Sequence, residues 1–108
     1  MKLKALIATA AVSVAVLVPV SSASAQASGQ WFWSAQATAN AIYNDNLHWN
    51  NGQSDTVTYV ACRGQGERYQ GLFKRFRCYV ESVEDSPYYI KVRITGEHSY
   101  RFGFLGYA

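Results

Sequence analysis

Hydrophobic positions along this chain fall into three regimes. From Ala5 to Val20 they dominate an uncharged, apolar run of 16 residues, preceded by Lys2 and Lys4 and followed by Ala23-Ser24-Ala25. A basic start, an apolar centre and a small-residue triplet are the pattern of a secretory signal peptide, which predicts cleavage after Ala25. The run is shorter than the roughly 20 residues that a membrane-spanning helix needs, and no second such run occurs, so no span is expected in the mature chain. From Gln26 to Leu47 the chain is alanine-rich, and a helix over about Gln30 to Asp45 would align Phe32, Ala35, Ala39, Ile42 and Tyr43. Trp31, Trp33, Ala35, Ala37, Ala39, Ala41 and Tyr43 also alternate with period two. Alanine, a strong helix former and a poor strand former, tips the reading to helix.

In the third regime four alternating runs, Thr56 to Cys62, Leu72 to Val83, Tyr88 to Thr95 and Ser99 to Leu105, read as strands. The polar cluster His48 to Asp55 ends the helix, and Gly64, Gly66 and Gly71, then Glu84-Asp85-Ser86-Pro87, then Gly96-Glu97 read as turns. Connections this short join antiparallel neighbours. The predicted fold is α+β: one N-terminal helix packed on a four-stranded antiparallel β-meander, forming a single small domain over residues 26–108.

Composition alters this picture in two ways. Cys62 and Cys78 are the only cysteines, and in an oxidising compartment such a pair forms a disulfide. The spacing suits neither a redox CxxC motif nor a zinc corner. All 16 aromatic residues come after Ala25, against 11 Leu, Ile and Val, so burial rests on large rings with polar tips. The net charge of +3 includes Lys2 and Lys4; without them it falls to about +1, and bulk charge selects no partner.

A disulfide between neighbouring strands fixes which side chains share a face. Val60, Cys62, Phe76, Cys78, Val80, Tyr88, Ile90, Val92, Ile94, Tyr100, Phe102 and Phe104 go to the expected buried face. Tyr59, Arg75, Arg77, Tyr79, Tyr89, Lys91, Arg93 and Arg101 go to the other. That second face points to a protein partner or an anionic cell-surface ligand, because guanidinium groups and aromatic rings suit phosphates, sulfates and binding hot spots.

Catalytic motifs are absent from the sequence, and no cofactor-binding pattern occurs. Asp45 and His48 are spaced for two ligands of a metal corner but lack a third, so no metal site is expected. The segment Thr95-Gly96-Glu97-His98 is similar to the terminal segment of small secreted bacterial guanyl-specific ribonucleases. That resemblance implies His98 as general acid, Glu81 as base and Arg77 or Arg93 as phosphate holder, although the family's motif strand is not matched. The pattern Cys62-x-Gly64-x-Gly66, Tyr69, Phe76-Arg77-Cys78 and Ile94-Thr95-Gly96 resembles a group of small exported single-disulfide domains of high-GC Gram-positive bacteria whose role is unassigned. It implies a secreted bacterial domain and no activity. The expected function is therefore an exported, monomeric, non-enzymatic binding domain, with a small hydrolase using His98 as the alternative.

Overall fold

The computed structural model describes residues 23–108, so most of the expected signal peptide lies outside the described residues. Strands take 59% of this region and helix only one short segment. In chain order the elements are β1 (Ser24–Ala27), β2 (Gln30–Trp33), α1 (Ala35–Asp45), β3 (Leu47–His48), β4 (Ser54–Asp55), β5 (Val57–Tyr69), β6 (Leu72–Ser82), β7 (Tyr88–Ile94) and β8 (Tyr100–Tyr107). The expected helix on a four-stranded meander is wrong. The main sheet has six strands, ordered β1-β2-β6-β7-β8 with β5 also on β6, and β3–β4 forms a separate small hairpin.

The departure begins at Gln30. Ser28 and Gly29 adopt positive φ (52° and 72°) and reverse the chain in two residues, so that Ala27 pairs with Gln30 and Ser24 with Trp33. Two successive positive-φ residues are the geometry of a tight hairpin turn. The period-two alternation of Trp31 and Trp33 is thus a true strand signal, and alanine governs only the segment from Ala35 onward. Trp33 is buried, donating its indole N–H to the Gly96 carbonyl at 3.1 Å, while Phe32 on the opposite face packs on Tyr69. The aromatic cluster therefore docks inside.

Helix α1 starts where Ser34 caps it, its hydroxyl accepting from the Ala37 amide at 3.0 Å. It stops at Asn46, whose φ of 61° breaks the helix and whose side chain accepts from the Val57 amide at 2.9 Å. Ile42 and Leu47 are fully buried against Phe76, Cys78, Val80, Tyr88, Ile90 and Val92. The helix and the β3–β4 hairpin cover this one side of the sheet. β8 lies at the sheet's edge, and Phe104, expected in the core, is 47% exposed there.

A second correction concerns the glycines after Cys62. Gly64 and Gly66 lie within β5, which continues to Tyr69, and the turn is made by Gln70 and Gly71 at φ 52° and 80°. Gly64 is required because the Phe73 ring occupies the space a Cβ would fill. Gly66, at φ 71°, sits in an irregularity of the β5–β6 register between Gln65 and Arg68. Cys62 and Cys78 are direct cross-strand partners, disulfide-bonded with their Cα atoms 4.1 Å apart.

Candidate binding face

Because the cover lies on one side, the opposite side of β5–β8 is left open. Register places its residues in rows across the strands. One row reads Gln65, Arg75, Arg93, Arg101; the next reads Arg63, Arg77, Lys91, Gly103; the third holds Ala61, Tyr79 and Tyr89. All eight residues expected on this face are on it. Arg75, Arg77, Lys91, Arg93 and Arg101 are exposed, Tyr59 is 52% exposed, and Tyr79 and Tyr89 are half-buried.

Arg63 belongs here too, and sequence reasoning missed it because Gly64 and Gly66 read as a turn. The signal was nonetheless present: pairing Cys62 with Cys78 forces Arg63 opposite Arg77. Six of the ten Lys and Arg residues of the chain thus share one face. Among the described residues, none of the six lies within ion-pair distance of a carboxylate, the Lys/Arg ion pair there being Lys74 with Glu67 at 3.1 Å. Four partner pairs are cation against cation: Arg75 with Arg93, Arg93 with Arg101, Arg63 with Arg77, and Arg77 with Lys91.

The tyrosines form one end of the face. Tyr59 and Tyr79 rings meet edge-on at 6.2 Å, Tyr79 and Tyr89 at 5.6 Å, and the Arg77 guanidinium lies 4.6 Å above the Tyr89 ring. Tyr79 donates to Glu81 at 2.7 Å, and this hydrogen bond to a carboxylate raises the Tyr79 phenol above its ordinary 10.0. Lys91 lies across Gly103, its alkyl stem taking the space next to where a Cβ would stand there. A depression of about 500 Å³ opens between Arg75, Arg77, Lys91, Arg93 and Arg101, and a second of about 420 Å³ between Arg63, Arg77, Tyr79 and Tyr89.

The residues of the hydrolase alternative do not converge. His98 is on the β7–β8 turn, its side chain 88% exposed and 3.9 Å from Glu97. Glu81 sits beside Tyr59 at the far end of β6. Arg93, just before the turn, pairs with Arg75, six residues from Glu81 along β6. At about 3.3 Å per strand residue that places Glu81 roughly 20 Å from the His98 turn, beyond proton-transfer reach. His48 has both ring nitrogens engaged, Nδ1 with the Ser54 hydroxyl at 2.9 Å and Nε2 with the Asp45 carbonyl oxygen at 3.1 Å. Among the described residues no three His, Cys, Asp or Glu side chains gather as metal ligands, and no helix is long and apolar enough to cross a membrane.

No protein-family model, curated protein or solved structure matches this chain.

Proposed function

We propose that this chain is an exported, non-enzymatic binding domain whose open sheet face takes a polyanionic partner. The observation that carries the reading is the row-by-row packing of six uncompensated cations. Like charges directly opposite on neighbouring strands cost stability, and nothing in the core requires them there. Strand spacing sets the cations about 4.8 Å apart across the sheet and about 6.6 Å apart along it, a lattice that matches chains bearing a phosphate or sulfate every few ångströms. Arginine forks hold such groups through paired hydrogen bonds, and the tyrosine end offers apolar rings to whatever carries the charge.

The test is binding of the disulfide-bonded protein to polyphosphate and to a sulfated polysaccharide over a range of salt concentrations. Binding should weaken steeply as salt rises, and the double variant Arg77→Gln, Arg93→Gln should bind at least about tenfold more weakly, with the fold intact by circular dichroism. Binding that ignores salt, or that survives the double variant, would overturn the reading. Retention of a protein partner by the unaltered face in high salt would move recognition to the tyrosines.

A further inference from the structure

A second cleft lies on the covered side of the sheet, at the end where β4, β7 and β8 meet. Its floor is Asp55 and Tyr88, each 1% exposed, and its walls are Trp49, Phe104, Tyr107 and Asp85. The four rings form one connected cluster: Trp49 with Tyr88 at 6.1 Å, Tyr88 with Phe104 at 5.8 Å, and Phe104 with Tyr107 at 5.2 Å between centroids. Phe104 and Tyr107 remain 47% and 61% exposed at the rim. Large aromatic groups left half-open around a concavity are unusual where the same rings could pack away.

The charged groups of the cleft, Asp55 and Asp85, are of one sign. Asp55 accepts from Tyr88 at 2.6 Å, from the Trp49 indole at 3.2 Å and from Gln53 at 3.3 Å. These neutral donors satisfy its oxygens without neutralising its charge, and among the described residues no cation lies within ion-pair distance of it. Asp85 accepts from Tyr107 at 3.0 Å and from the Ser86 amide at 2.8 Å, again with no cationic partner. Among the described residues no Lys, Arg or His lines the cleft. A buried carboxylate without a counter-ion is costly, and rings present negative faces to whatever sits among them.

We propose that this cleft binds a small alkylammonium ion, its charge held by Asp55 and Asp85 and its alkyl groups by the faces of Trp49, Phe104 and Tyr107. The volume of about 230 Å³ is below the roughly 300–1,000 Å³ of drug-sized sites, which limits the occupant to a head group of that kind. The site does not depend on the cationic face, which opens on the other side of the sheet.

Tetramethylammonium is the probe, with tert-butanol as its uncharged counterpart and sodium chloride as the ionic-strength control. The Trp49 indole N–H resonance reports on the site directly, because that proton bonds Asp55. Tetramethylammonium should shift it saturably while tert-butanol and sodium chloride do not. Tyr107→Ala and Asp85→Asn should each weaken binding at least about fivefold, and Tyr107→Phe, which keeps the ring, should stay within about twofold of the parent. Tyr107 and Asp85 lie outside the core, and an unchanged spectrum elsewhere verifies that the variants fold. A response that does not saturate, an equal response to tert-butanol, or binding unaffected by Tyr107→Ala would each overturn the proposal.

Discussion

At the residue scale, two side chains show how local chemistry constrains the fold. Gly64 faces Phe76 across the β5–β6 ladder, and the Phe73 ring fills the space above its Cα. Gly64→Ala must displace that ring, so it should lower stability by about 1–3 kcal/mol, read as a shift in the urea midpoint. Tyr88 is the counterpart among polar groups. Burial, together with its hydrogen bond to Asp55, pushes its phenol well above the ordinary 10.0, and Tyr100 is raised by burial and by its bond to Asp45. Below pH 10.0 folded and unfolded chains both keep these protons, so the contribution to stability is fully present. Above it the unfolded chain releases protons that the native state retains, and stability should fall as pH rises. Measured unfolding free energies on both sides of pH 10.0 check the sign. Tyr88→Phe should cost about 1–3 kcal/mol at neutral pH and make the alkaline decline shallower; an unchanged decline would mean Tyr88 does not hold its proton in the native state.

At the element scale, the disulfide and the first hairpin are the two staples open to test. The bridge closes a loop spanning 16 residues between adjacent strands. Cys62→Ser with Cys78→Ser should therefore lower stability by roughly 3 kcal/mol, seen as a lower denaturant midpoint, with a slope equal to or steeper than the parent's because the unbridged unfolded chain exposes more surface. Signal cleavage after Ala25 would fall inside β1. It would remove the Ser24–Trp33 and Ala25–Phe32 pairs and the bond from the Ser34 amide to the Ala23 carbonyl at 2.8 Å. A chain beginning at Gln26 should be about 1–3 kcal/mol less stable than one beginning at residue 23, because β2 then keeps only the Gln26–Trp31 and Ala27–Gln30 pairs of the hairpin beside its contact with β6 at Phe73. Equal midpoints would show that β1 contributes nothing. These elements also mark what was legible in the sequence. Alternation in Leu72–Ser82 and Tyr88–Ile94 was readable because one face is buried and the other wet, and that contrast assigned six of the eight expected residues of the open face, Tyr59 and Arg101 coming from β5 and β8. The first hairpin was not readable. Ser28-Gly29 is a turn signal only if the residues before it are seen as a strand, and Ser24 and Ala25 fit a cleavage site equally well. Arg63 was lost for a related reason: glycine within a strand, needed for the Phe73 ring and the register shift, looks like glycine in a loop.

For the molecule as a whole, charge is segregated rather than scarce. A net charge of +3 conceals six cations on the open face, while Asp55 and Asp85 line the aromatic cleft on the other side. This arrangement separates binding from folding in a measurable way. Arg77 and Arg93 each lie between two other cations, so all four like-charge pairs pass through them. Opposed like charges cost on the order of 0.2–1 kcal/mol per pair, partly offset by the Arg77 contact with the Tyr89 ring. Replacing both by Gln keeps the stems that cover the sheet and removes the charge. The double variant should therefore be as stable as the parent, or up to about 2 kcal/mol more stable at low salt, with the difference shrinking as added salt screens the face. The same variant should lose polyanion binding, and polyanion should raise the melting temperature of the parent but not of the variant. A residue pair whose removal strengthens the fold and abolishes binding is kept for binding. If the variant instead loses stability at every salt concentration, the cations are holding the sheet together and the open face is structural.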